Sequence, residues 1–225
     1  MSDPSSPMVV VVDDDPAVRA SVNRLLRASG YRVKTYVSAH QFAQVGRLHG
    51  PCCLILDVQM PDMDGLQFKQ SLDRAGIRIP IIFITGFGNI PMGVHAIQDG
   101  AVDFLPKPFD ADELLRAVDR ALAADAQLLH QERERADLHR RFDSLTDRER
   151  EVFFAVTSGL LNKQVGHELG VSEKTIKVHR GRVTEKMGAE SLAALVRMAD
   201  QLQNPAAPPG SDAASHWSAS AAHFG

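Results

Sequence analysis

The sequence predicts a doubly wound α/β domain built on a five-stranded parallel sheet, then a helical linker and a small all-helical domain. Three observations lead there. Between residues 8 and 124, five short apolar runs (8–12, 32–36, 53–57, 80–84 and 103–105) alternate with amphipathic stretches. Three of these runs are continuously apolar or β-branched, the pattern of strands covered on both faces of a parallel sheet. Beyond residue 143 only helical periodicity remains, and a 225-residue chain has room for two modest domains.

The elements follow in order. After a polar, Pro-rich start (MSDPSSP) and the first strand, Val18, Val22, Leu25 and Leu26 form an apolar helix face, with Gly30 where a helix C-terminus favours glycine. Val94 and Ile97 mark another helix, with Pro91 near its start and Gly100 at its end. Asp110 with Glu113 opens a third in the manner of a capping box. Repeated β-α units of this kind place a ligand site at the carboxyl ends of the strands.

Residues 111–142 read as one long helix leaving the first domain. Leu115, Leu122 and Leu129 recur at heptad spacing and suggest a short coiled seam, which Asp125 and Gln131 interrupt. Past Leu129 the pairs Glu132/Arg135 and Asp137/Arg141 suit a solvated helix, so 125–142 is read as the linker between a domain at 8–124 and another at 143–203. In the latter, Thr146 to Glu149 is a capping-box start and Ser158-Gly159 a stop. A second helix carries Val165 and Leu169 and ends at Gly170. Ser172 caps a third, with Ile176, Val183 and Met187 on its apolar side, and Leu192, Leu195, Val196 and Ala199 form a fourth. Residues 204–225, rich in Ala, Pro, Ser and Gly, are expected to be a disordered tail. There is no internal repeat.

A net charge of −3 excludes a chain that is basic throughout, so nucleic-acid binding has to come from a local patch. Adjacent Cys52 and Cys53 in an apolar run read as buried thiols in a reducing compartment. No apolar stretch approaches the ~20 residues that span a bilayer, and the start lacks the features of a signal peptide. A cytoplasmic protein without membrane association is expected.

Two acidic clusters fall at strand ends: Asp13-Asp14-Asp15 after the first strand and Asp57 closing the third. Carboxylates that share a site repel one another unless a cation joins them, and hard oxygen donors suit Mg²⁺. Thr85 ends the fourth strand and Lys107 follows the fifth, held between two prolines. A hydroxyl and an ammonium converging on a metal-bound carboxylate would neutralise a transferred phosphoryl group. Asp62 and Asp64 read as turn and cap residues.

The segments VVDDD, LILDVQMPDMDG, ITGFG and GAVDFLPKPF, in this order, resemble the receiver domain of two-component response regulators over residues 8–124. That resemblance implies a flavodoxin-like (CheY-like) fold with Asp57 as phosphoacceptor for a sensor histidine kinase. It implies Mg²⁺ held by Asp13, Asp14, Asp57 and the backbone carbonyl of Gln59. It also implies Thr85 and Lys107 on the phosphoryl oxygens, and Phe104 as a switching aromatic that turns inward. Composition alone makes Phe104 a core residue.

In the second domain, acids and bases are equal in number over 143–203, yet Lys174, Lys177, Arg180, Arg182 and Lys186 face only Glu185 within 174–186. Charge concentrated on one short helix suits a major groove lined with phosphates. The stretch LTDREREVFFAVTSGLLNKQVGHELGVSEKTIKVHRGRVTEKM is similar to the LuxR-type helix-turn-helix domain of the NarL/FixJ class. The resemblance implies double-stranded promoter DNA as partner, with Lys177 and Val178 at base edges and Thr175, His179 and Arg180 close by. Lys174 and Arg182 are expected on phosphates, which position without specifying. Lys186 reads as a solvated charge. The family often has a further base-contacting Lys where this chain has Gly181. His167-Glu168 is not half of a zinc motif, since no second His follows at i+4.

The string TGFGNIPMGVHAIQDGAVDFLPKPF, joined to this output domain, resembles the FixJ/TodT/StyR-like branch, from which Asn89, Gly93 and His95 depart slightly. Phosphorylation would then favour an active, dimeric form that binds DNA, with RNA polymerase left open as a further partner. Enzymatic activity would be confined to Mg²⁺-dependent self-phosphorylation and autodephosphorylation. Two other readings stay open on residues alone. In one, DNA binding is indifferent to phosphate; in the other, the site turns over an external phosphate ester.

Overall fold

The computed structural model describes residues 6–45, 48, 50–61, 63–86 and 97–203. The expectations for Asp62, Asn89, Pro91, Gly93, Val94, His95 and the 204–225 tail lie outside these residues. The described elements are β1 (Met8–Val12), α1 (Pro16–Ala28), β2 (Arg32–Tyr36), α2 (Ala39–Ala43), β3 (Cys52–Asp57), α3 (Gly65–Arg74), β4 (Ile81–Thr85) and β5 (Asp103–Pro106). They continue as α4 (Ala111–Asp143), α5 (Asp147–Thr157), α6 (Asn162–Glu168), α7 (Glu173–Met187) and α8 (Leu192–Gln203). All five predicted strands are present, with ends displaced by at most one residue. The chain divides into two compact units, Met1–Gln131 and Glu132–Gly225.

In the first unit the strands pair in parallel in the order β2-β1-β3-β4-β5. Successive residues of a strand face opposite sides, and in β1, β3 and β4 both sides are core. Val10, Val12, Leu54, Leu56 and Phe83 join Phe42 and Phe68 on one face. Val9, Val11, Ile55, Ile82 and Ile84 join Leu26, Leu114 and Val118 on the other. That explains why β1, β3 and β4 read as unbroken apolar runs. Cys52 and Cys53 are buried free thiols, and burial pushes the Cys53 thiol up. Asp15 caps α1 by accepting from Ala17 N and Val18 N, and Asp110 accepts from Asp112 N and Glu113 N at the start of α4.

Two of the three heptad leucines serve the core of the first unit. Leu122 is buried in the sheet's core and Leu115 packs against it. Asp125, which breaks the heptad, is fully buried and accepts a 2.8 Å hydrogen bond from Cys52 N.

In the second unit, Leu138 near the end of α4 is buried with Val152, Phe153, Val165, Ile176, Val183, Met187 and Leu195. Asp137 and Arg141 pair one turn apart at 2.6 Å, as their spacing predicts. Thr146 and Glu149 form the predicted capping box, and Ser172 caps α7. Between α6 and α7 the chain turns at Gly170, whose φ of +67° favours glycine. Among the described residues, no helix is long and apolar enough to cross a membrane.

Candidate functional site

The strand order reverses direction of growth between β1 and β3, so their carboxyl ends flank a crevice. Asp13 follows β1 and Asp57 ends β3, which places both at that crevice. Asp13 is fully buried and Asp57 nearly so, while Asp14 is exposed. Carboxylate oxygens of all three lie within 4.8 Å of one another, close enough to share one ion. Asp15, by contrast, turns away to cap α1, so the acidic triplet divides into two site residues and one cap. Asp13 is held on both sides: its Oδ1 accepts from Asp15 N and its carbonyl accepts from Arg19 Nη1 at 2.6 Å.

Lys107 follows β5, and its Nζ lies 2.7 Å from Asp13 Oδ2 and 3.2 Å from Asp57 Oδ2. Its backbone N donates to Thr85 O at 2.7 Å, which fixes the loop after β5 to the end of β4. Thr85 is fully buried there. Burial pushes the Asp57 carboxyl above its ordinary value; Lys107 opposes that and Asp13 adds to it. Burial also works against the Lys107 ammonium, but hydrogen bonds and charge from Asp13 and Asp57 outweigh it and raise its pKa. Gln59 N donates to Asp57 Oδ1 at 3.3 Å. Gln59 also lines an open depression of about 410 Å³ with Asp14, Val58, Met60, Pro61 and Asp64. Asp64 caps α3 through Leu66 N, the role predicted for it. Phe104 on β5 is half-buried against the core face that holds Leu56 and Phe83.

On α7, Lys174, Lys177, Val178, Gly181 and Arg182 are exposed, while Ile176 and Val183 anchor the helix from below. Thr175, His179 and Arg180 are half-buried. The Thr175 hydroxyl lies 2.8 Å from that of Ser172, and Arg180 Nη1 donates to Asn162 Oδ1 at 3.2 Å. His179 Nδ1 is buried without a hydrogen-bond partner among the described residues.

Residues 9–119 match the family described as "Response regulator receiver domain", and residues 143–199 match "Bacterial regulatory proteins, luxR family". Nodulation protein W of Bradyrhizobium diazoefficiens is 46% identical, over 87% of this chain and 86% of its own length. Response regulator protein TmoT of Ectopseudomonas mendocina is 44% identical, over 91% and 92%. The chain is a two-component response regulator of the NarL/FixJ class. The solved structure of the response regulator StyR superposes with a TM-score of 0.81 at 41% identity, covering 87% of this chain and 99% of that one. The regulator thus joins a receiver to a LuxR-type DNA-binding domain and acts in transcription regulation. Two such domains imply a kinase as partner and DNA as target.

Two residues of the regulator have further roles in the fold. Lys186 is exposed, as expected, but its Nζ also lies 2.6 Å from buried Glu149 and 3.1 Å from Ser144 O, which ties it to the fold. Gly65 has a role that the residue pattern did not disclose. A Cβ there would lie 2.5 Å from Asp57 O and 3.0 Å from Val58 Cα. A glycine opening a helix directly after an acidic cap is the signal that could have found it.

Proposed function

We propose that this regulator is switched by phosphorylation of Asp57 and then binds promoter DNA as a dimer. The observation that supports it most is the meeting of Asp13, Asp14 and Asp57 at the strand-order reversal, with the Lys107 ammonium on two of them. Asp57 Oδ attacks the phosphorus of a phosphohistidine on a sensor histidine kinase. The new O–P bond forms as the N–P bond breaks, and the electron pair stays with the imidazole nitrogen.

Carboxylates this close repel one another, and their hard oxygens suit a small divalent cation. Asp13, Asp14, Asp57 and the Gln59 carbonyl would hold Mg²⁺, which when bound neutralises charge on the phosphoryl oxygens. Lys107 and Thr85 bind those oxygens, Phe104 turns inward behind the displaced Thr85, and the active form gains contacts absent from the resting one. Enzymatic activity stays limited to self-phosphorylation and autodephosphorylation. In this reading the receiver is 8–124, the linker 125–142, the DNA-binding domain 143–203 and the tail 204–225, in a cytoplasmic protein.

On α7, Lys177 and Val178 read base edges, with Thr175, His179 and Arg180 supporting. Lys174 and Arg182 contact phosphates. RNA polymerase is a further partner of this reading. Selection of bound fragments from host genomic DNA, with Mg²⁺ and beryllofluoride against a control without fluoride, tests it. Enrichment of a short two-fold-related motif only with the mimic is expected. Equal enrichment in both arms removes the switch, and none in either removes DNA as the target.

A further inference from the structure

The helix α4 takes part in both units. Leu114, Val118 and Leu122 near its start are buried in the core of the first, and Leu138 near its end is buried with Val183 and Met187 in the core of the second. Its last turn carries Arg141, whose guanidinium is held on two sides. Arg141 Nη2 pairs with Asp137 Oδ2 at 2.6 Å, one turn earlier. Arg141 Nη1 donates at 3.1 Å to the carbonyl of Met187, the last residue of α7. Gly188 leaves it that place, since a Cβ there would lie 2.6 Å from Nη1. A contact returns from α7: Lys186 Nζ lies 3.1 Å from Ser144 O and 2.6 Å from Glu149 Oε2.

Arg141 is not needed to end α7. Ala189 N already donates to Thr184 O and Gly188 N to Glu185 O, so the helix closes on itself. What Arg141 adds is a bond between two helices, made at the negative end of the α7 dipole. The carboxyl end of α7 is thus tied to residues 141–149, where the chain arrives from the receiver, while its amino end is capped locally by Ser172. Lys177 precedes Met187 by about 15 Å along the helix, so a tilt of roughly 5° about the tied end moves it by about 1.3 Å. A hydrogen bond to a base edge does not survive a displacement of that size.

We infer that Arg141 is a positioning residue of the switch: through Met187 it makes the seating of α7 on DNA follow the last turn of α4. This rests on the reading of α7 as the DNA-reading helix and of phosphorylation at Asp57 as its control. Asp137 orients the guanidinium for that task. A change at the receiver that alters α4 then reaches Lys177 and Val178 within one chain. Without Arg141 the output unit still folds and still binds DNA. The effect of phosphorylation on that binding is lost, because coupling between two sites requires both to bias the same element.

The test uses the full-length chain and a duplex that the parent selects from a random-sequence pool with Mg²⁺ and beryllofluoride. Affinity for that duplex is measured with Mg²⁺, in the presence and absence of fluoride. The parent is expected to gain about tenfold or more from beryllofluoride. Arg141→Met should gain less than about threefold, while its affinity without fluoride and its uptake of labelled phosphate from a small donor stay within about twofold of the parent's. Asp137→Asn, which leaves Arg141 in place but unoriented, should fall between the two. Arg140→Met should match the parent, since the Arg140 guanidinium bonds to the same Asp137 but to nothing in α7 among the described residues. A contact that only stabilises the fold weakens both arms alike, so an undiminished gain in Arg141→Met overturns the inference. Should Arg141→Met not fold, Asp137→Asn decides alone, and a full gain there overturns the inference equally. A parent that gains nothing from beryllofluoride removes the switch itself and the inference with it, an outcome distinct from a gain that Arg141→Met keeps.

Discussion

Asp13 and Asp15 are the same residue type two positions apart, yet one is sealed beside a lysine and the other caps a helix. Position relative to the strand end decides it. The first residue past β1 points into the crevice, and the third meets the free amides of α1. The same proximity governs Gly65. Adding one methyl group there forces the backbone of Asp57 and Val58 to move, since backbone atoms cannot rotate aside. Gly65→Ala is expected to destabilise the receiver by ~1–3 kcal/mol, as overpacking does, and to slow phosphoryl uptake. Denaturant unfolding together with incorporation of labelled phosphate from a small donor reads both, and unchanged values in both would remove the close contact.

In the second unit, Glu149 is a buried carboxylate whose hydrogen bonds from Lys186 and the Thr146 backbone hold its pKa below the usual carboxylate range. A carboxyl depressed in the folded state adds stability that is fully present above the unfolded pKa. That contribution is lost as pH falls through the folded value. The C-terminal unit is therefore expected to lose stability on acidification. In Glu149→Gln that loss should be shallower from a lower starting point at neutral pH. Thermal midpoints of both chains between pH 7 and about 3 check the sign, and parallel curves would contradict it.

At the scale of elements, α4 is fastened to the sheet through a side chain that its own periodicity disguises. Asp125 looks like a flaw in a heptad, but its carboxylate accepts Cys52 N–H at the amino end of β3, the strand that ends in Asp57. Asp125→Ala withdraws that acceptor from a buried amide and is expected to cost ~1–3 kcal/mol, with faster hydrogen exchange at Cys52. Asp125→Asn, which keeps an acceptor, should lose less. Equal exchange at Cys52 in all three chains would show that the contact holds nothing.

This element also marks how far the sequence could be read. The strands β1, β3 and β4 were legible because covering on both faces imposes unbroken apolar runs, and the caps at Thr146 and Ser172 because capping is local chemistry. The site was legible because its residues cluster at strand ends. Asp125 with Cys52, Lys186 with Glu149 and Gly65 with Asp57 were not, since each joins residues whose neighbourhood only the fold creates. The heptad was ambiguous for the same reason: Leu115 and Leu122 serve the sheet, as leucines at that spacing can as well as a partner helix.

Over the whole molecule, the chain is slightly acidic while the exposed stripe of α7 is cationic. Attraction to DNA is then local, and in the proposed dimer it would be strengthened by two copies binding paired half-sites together. A switch of this kind needs the phosphoryl group to favour the dimeric form through contacts made only there, because a group bound equally well in both forms shifts nothing. In the proposed function Asp57 carries that group and Lys107 contacts it, so both would have to be intact for the mass of the protein to respond. With Mg²⁺ and beryllofluoride, the 24.6 kDa chain is expected to move from monomer toward twice that mass in sedimentation equilibrium. Asp57→Asn should stay monomeric under the same conditions and should lose the mimic's enhancement of DNA binding. If the Asn chain dimerises with fluoride as the parent does, the mimic acts somewhere other than the acidic crevice. If the parent stays monomeric yet gains affinity, the switch works within one chain and pairing follows only on DNA.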